Sequence, residues 1–169
     1  MSDGDSPFVS AMTQRDCPHL THFYKENNMA ERTFYNEVLT DHNLHPDNKY
    51  QLKDPNKVKE GVNPSCGDDI VLQLKYVDGV IEEASFVGEG CAISQASADI
   101  MINLVLGKKK EEALHLSDIF LRMIKGEATD EEIEELEEGG ALQDISHMPA
   151  RVKCAVLGWR TLNEILNEE

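Results

Sequence analysis

The feature that most limits what this chain can fold into is a pair of apolar runs joined by Asp78-Gly79. Ile70, Leu72, Leu74 and Tyr76 alternate with Val71, Gln73 and Lys75, and after the Asp-Gly pair Val80, Ile81, Ala84, Phe86 and Val87 form a second run. Period-two patterning sends alternate side chains to one face, and Asp-Gly supplies the positive φ that a two-residue hairpin turn requires. Two adjacent antiparallel strands are therefore expected. Each outer end of this hairpin carries a cysteine beside glycine. Cys66 lies in Asn63-Pro64-Ser65-Cys66-Gly67-Asp68, where an X-Pro turn and a glycine lift a thiol and a carboxylate off one tight loop. Cys91 ends Gly88-Glu89-Gly90 and opens a helical run, where the positive end of a helix macrodipole favours thiolate over thiol.

The flanking sequence is read in the same way. Phe34, Tyr35, Val38 and Leu39 recur at helical spacing, which predicts an amphipathic helix from Glu31 to about His42, ended by Pro46. Tyr50-Gln51-Leu52 is expected as a short edge strand, with Asp54-Pro55-Asn56 turning away from it. Beyond Cys91, the stripe Ile93, Ala96, Ile100, Met101, Leu104 and Val105 predicts a helix closed by Gly107. A short helix over Glu111 to Leu116 follows, then one capped by Ser117 and running to Lys125, with Gly126 as its stop. Thr129 and Glu132 have capping-box spacing at the head of a strongly acidic helix, which Gly139-Gly140 closes. That acidic face reads as solvated surface or as a docking face for a basic partner. Pro149 suits the first turn of a last helix with Val152, Val156, Trp159, Leu162 and Leu166 on its buried stripe. At ~100° per residue Cys154 points roughly 140° from the centre of that stripe, so it is either incidental or needs a partner off the core face.

A chain of 169 residues, 40% hydrophobic, is long enough for one sizeable core. Its net charge of −16 argues against nucleic acid and anionic membrane as partners, because such sites need basic stripes. The one basic run, Lys108-Lys109-Lys110, is followed directly by Glu111 and Glu112. No apolar segment approaches the ~20 residues of a membrane span, and the N-terminal residues lack the pattern of an export signal. A cytoplasmic location is expected, and there the four cysteines are better read as thiols available for metal or chemistry than as disulfides. Residues 1 to 29 are polar and weakly patterned, which predicts a disordered extension ahead of a single domain over 30–169, or sequence upstream of a start at Met29. Cys17, His19 and His22 stand there as C-x-H-x-x-H, a chelating spacing with no fold to fix it.

Cys66, Cys91 and Cys154 are 25 and 63 residues apart, so no C-x-x-C pair announces a metal. Their settings do more: a glycine loop, a helix start and the first turns of a helix beginning at Pro149. If these three points converge, three thiolates with the Asp68 carboxylate make a four-coordinate site suited to Zn2+ by softness and geometry. Asp69 is the competing carboxylate. Asp68 is preferred because i, i+2 spacing around Gly67 turns it to the side of Cys66. A single oxygen donor on a flexible loop would be the ligand most easily exchanged, and a thiolate released from zinc is a strong nucleophile towards a persulfide.

The segments NPSCGDD, GEGCAIS and PARVKCAVLGW, in that order and spacing, resemble the three cysteine motifs of the IscU/NifU N-terminal family and specifically its SufU branch. The resemblance spans roughly residues 31 to 167. It implies an α+β fold, a small three-stranded antiparallel sheet packed against several helices, with the cysteines at one exposed end. It also implies a zinc-dependent sulfurtransferase: Cys66 accepts persulfide sulfur from a PLP-dependent cysteine desulfurase (SufS-like), with Asp68, Cys91 and Cys154 as the other zinc ligands, and a downstream iron-sulfur scaffold complex receives the sulfur. Arg151 matches the arginine of the branch's ARxKC motif and is expected to contact the partner or steady the site. The alternative is a non-enzymatic scaffold on which an Fe-S cluster is assembled at the same cysteines.

Two features favour the branch. IscU-type scaffolds place a histidine directly before the third cysteine, where this chain has Lys153, and His147 is too far away by position to replace it. The 63-residue gap before Cys154 also holds an acidic insertion typical of the branch. One departure is Asp47, which stands where the branch's N-terminal motif has arginine; it bears on any partner contact made there.

Overall fold

In the computed structural model, residues 37–168 are described. The first part of the expected N-terminal helix, with Phe34 and Tyr35, and the Cys17, His19, His22 motif lie outside them. The elements run α1 (Glu37–Leu44), β1 (Lys57–Asn63), β2 (Asp68–Val77), β3 (Val80–Glu89), α2 (Ala92–Val105), α3 (Lys110–Ile124), α4 (Asp130–Glu135), a 3-10 run (Glu137–His147) and α5 (Pro149–Asn167). The three strands form one antiparallel sheet in the order β1-β2-β3, and the helices pack against it as the α+β expectation requires.

The hairpin forms where the alternation placed it. Asp78 and Gly79 both take positive φ, 52° and 80°, the two-residue turn whose twist matches the strands. Ile70, Leu72 and Leu74 of β2 and Ala84 and Phe86 of β3 are buried against α2 and α5, and a bulge between Lys75 and Tyr76 shifts the register near the turn. Phe120 of α3 stacks on Trp159 of α5 with centroids 4.2 Å apart, and the indole N–H donates to Ser97 Oγ on α2. Among the described residues no helix is long and apolar enough to cross a membrane.

Three local expectations are corrected. The edge strand is Lys57–Asn63, not Tyr50–Leu52: the Leu52 N–H donates to the Gln73 side chain instead of a ladder carbonyl. One helix, Lys110–Ile124, replaces the expected pair, because Ser117 is buried and points at the Trp159 carbonyl rather than capping a new start. Gly139-Gly140 does not end the acidic segment, which continues as 3-10 turns to His147. Ser94, Ser97 and Asp99 are buried along with the apolar stripe of α2, since sheet, α1 and α5 enclose that helix on several sides.

Candidate metal and sulfur centre

Each element of the site stops where its functional side chain is needed. β1 ends at Asn63 and β2 begins at Asp68, opposite one another in register. The four residues between them turn on an Asn63 carbonyl that accepts the Cys66 N–H at 3.3 Å, with Pro64 at the second position. Gly67 takes φ 71°, a left-handed conformation that L side chains rarely adopt. The result is an exposed Cys66 followed two residues later by a fully buried Asp68.

The other two thiols come from helix starts. Cys91 caps α2, its Sγ accepting the Ser94 N–H at 3.5 Å. Cys154 lies in the second turn of α5, wholly buried. The expectation that it points off the core face is thus corrected: it is part of the buried core, and the end of β1 and the Cys66 loop cover it. Its thiol lies 3.2 Å from Cys66 Sγ.

One donor atom each from Cys66, Asp68 and Cys154 lies within 4.8 Å of the others. Cys91 Sγ does not belong to that mutually close group, and it borders the cluster through Cys154 and through its backbone. Asp68 Oδ1 accepts the Cys91 N–H at 2.8 Å and the Ser94 hydroxyl at 3.1 Å, and Oδ2 accepts Asn63 Nδ2 at 3.1 Å. The carboxylate therefore sits at the positive end of α2, held on both oxygens. Far from being a loose loop ligand, it is the most firmly held member of the group.

Gly90 makes that arrangement possible. A Cβ there would lie 2.3 Å from Ser94 Oγ and 3.3 Å from Asp68 Oδ1, inside contact distance of the bond that orients the carboxylate. Asn63 and Ser94 are the site residues that reading the sequence missed. Their signal is positional: Asn63 opens the turn carrying Cys66, and Ser94 occupies the third helical position after a capping cysteine.

The electrostatics suit a cation. Burial pushes the Asp68 carboxyl up, but the Cys91 N–H, the Cys154 thiol, Asn63 and Ser94 outweigh it and hold the group below its usual range. Burial first, then contact with Cys66, Cys91 and Asp68, drives the Cys154 thiol far above its ordinary range. A buried carboxylate that favours ionisation stands beside a thiol whose ionisation is disfavoured. Among the described residues no lysine, arginine or histidine pairs with Asp68. A soft divalent cation with thiolate and carboxylate donors resolves that conflict, so the donor set fits zinc. Arg151 lies half-buried on the first turn of α5, and among the described residues it has no carboxylate within salt-bridge distance. Lys153, next to Cys154, is exposed.

A small α+β domain here brings thiols and a buried carboxylate from separate element ends to one vertex, a donor set suited to a soft metal. A family model for the NifU-like N terminal domain matches residues 34–155, and the chain belongs to that family. The chain is 43% identical over 137 residues to a Bacillus subtilis protein named zinc-dependent sulfurtransferase SufU, covering 81% of this chain and 92% of that protein. It is 40% identical over 140 residues to a Thermotoga maritima protein named iron-sulfur cluster assembly scaffold protein IscU, covering 83% and 97%. The crystal structure of a SufU from Fervidobacterium islandicum AW-1, described as an iron-sulfur cluster assembly scaffold protein for the SUF system, matches with a TM-score of 0.74 and 36% identity. That match covers 79% of this chain and 96% of the other.

Proposed function

We propose that this protein is a zinc-dependent sulfur acceptor of the SufU type, which takes persulfide sulfur from a PLP-dependent cysteine desulfurase and passes it towards iron-sulfur cluster assembly. The observation that carries the reading is the asymmetry of the two closest thiols: Cys66 is exposed on a turn, and its partner Cys154, 3.2 Å away, is buried against Asp68. One sulfur is presented to a partner and the other is built in.

Cys66, Asp68 and Cys154 would hold the ion with Cys91 beside them. Bound zinc would supply charge that keeps the thiols deprotonated and shielded from oxidation. The transfer itself is thiol exchange. The Cys66 thiolate attacks the terminal sulfur of the desulfurase persulfide, a new Cys66 S–S bond forms, the old S–S bond breaks, and the desulfurase cysteine leaves as thiolate with no net oxidation. Cys66 supplies the nucleophile and Asn63 holds its turn. Arg151, half-buried near Cys154 and without an ion pair among the described residues, is available to a carboxylate on the desulfurase.

The test is incubation with a cysteine desulfurase and cysteine, followed by mass spectrometry of each thiol. A sulfur adduct on Cys66, lost together with desulfurase stimulation in Cys66→Ala, is expected. Stimulation that survives that substitution refutes the assignment. The second reading, a scaffold on which an Fe-S cluster is assembled as cargo, draws on the name of the T. maritima relative. Lys153 weighs against it, since an exposed ammonium is no ligand for iron.

A further inference from the structure

We propose that Asn63 is a positioning residue that divides the centre into a fixed pair, Asp68 and Cys154, and a releasable thiol, Cys66. Asn63 is buried at the last position of β1. Its Nδ2 donates to Asp68 Oδ2 at 3.1 Å and lies 3.6 Å from Cys154 Sγ, within reach of a bond to sulfur, while its carbonyl accepts the Cys66 N–H. One residue thus touches all three members of the group.

The three contacts differ in kind, and the difference is the inference. A carboxamide has two N–H donors fixed in one plane, so serving both acceptors sets the carboxylate and the sulfur relative to each other. Those acceptors belong to a strand and to a helix 86 residues further along the chain, and the other carboxylate oxygen is already taken by α2. Asp68 therefore has no free rotation. Cys66 is tied to Asn63 through the backbone of its turn, and among the described residues its sulfur is bonded into the centre through Cys154, with the Asp68 carboxylate within 4.8 Å. Movement of the Cys66 sulfur towards a partner leaves the amide and both its acceptors in place. An aspartate at position 63 would keep the shape of the side chain but replace the donor by an acceptor facing a carboxylate and a sulfur.

The metal half of this proposal rests on the zinc reading above, and the hold on Cys154 applies equally to the metal-free chain. The test therefore has two arms on the full chain, with Asn63→Asp and Asn63→Ser as variants and thermal melting as the folding control. In the first, metal-free protein is alkylated with iodoacetamide and each cysteine is followed by mass spectrometry. The parent is expected to label at Cys66 well before Cys154, and both variants to narrow that gap by about tenfold, the effect of one lost hydrogen bond at the buried thiol. In the second, Co2+ replaces zinc as a spectroscopic probe. The variants are expected to shift the thiolate-to-cobalt absorption and to bind Co2+ about 10- to 100-fold more weakly.

An unchanged labelling order in variants that melt like the parent overturns the proposal. So does loss of the melting transition in both variants, which would make Asn63 a folding residue. If the parent binds neither Co2+ nor Zn2+, the zinc reading fails and the labelling arm alone decides the role of Asn63.

Discussion

His42 Nδ1 lies 2.6 Å from Asp99 Oδ2, joining α1 to the middle of α2 at a buried point, while its Nε2 reaches Glu138 at 2.8 Å on the 3-10 run. Burial alone would lower the affinity of the imidazole for its proton, but the hydrogen bonds and charges of Asp99 and Glu138 outweigh it and raise the group above its usual value. A group bound more tightly to its proton when folded contributes stability that is complete below about pH 6.5 and disappears as pH rises through the folded-state value. Melting temperature measured from about pH 6 to about pH 9 should fall in the parent relative to His42→Gln. His42→Ala should cost about 2 to 3 kcal/mol, because it strips a buried carboxylate of a charged donor.

Gly90→Ala should act on the metal centre without touching a proposed ligand. The added Cβ forces the Ser94 hydroxyl away from Asp68, which loses one charge-assisted bond, about 1 to 2 kcal/mol, and weakens zinc binding about tenfold. Melting and a competitive chelator titration read the two effects separately.

Cys66→Ala and Cys154→Ala should separate in stability although both abolish metal retention. The exposed position should stay within about 0.5 kcal/mol of the parent when metal-free, while the buried one should lose about 1 to 2 kcal/mol. Chelation should lower the melting temperature of the parent and leave both variants unmoved.

Arg122 holds Glu132 with two bonds at 2.6 and 2.9 Å, and Glu132 also closes the capping box with Thr129 at the head of α4. The Arg122 contact first, then the Thr129 N–H, depress the carboxyl to about 2. Its contribution is therefore present above the unfolded value of 4.5 and lost as pH falls towards 2. Hydrogen exchange of the α4 amides should quicken over that window, and Glu132→Gln should quicken it already near neutral pH.

The hairpin was legible because Asp78-Gly79 and strict alternation agree, and both cysteine turns follow from residues whose backbone demands are local. β1 was not legible, for a physical reason. Its inward positions are Lys57, Lys59, Gly61 and Asn63, which read as polar. Lys57 reaches the Ile165 and Glu168 carbonyls at the end of α5, and Lys59 pairs with Glu164 and Glu168 there, so this strand faces a helix C-terminus rather than an oily layer. At Gly61 a Cβ would meet Thr161 Oγ1 at 2.1 Å. In the site, the sequence pointed to three thiols and a carboxylate, with the carboxylate expected as the loosest of them, whereas both its oxygens are held. The ranking of these groups into buried and exposed, fixed and releasable, depends on Asn63 and Ser94, whose contacts cross the chain and leave no periodic trace.

The thiols of Cys66 and Cys154 are 88 residues apart in the chain, and the second is carried by the last helix. During synthesis the hairpin and its two flanking cysteines leave the ribosome first, and the vertex closes only after α5 has emerged and docked. Until α5 docks, a nascent chain therefore presents only part of that donor set.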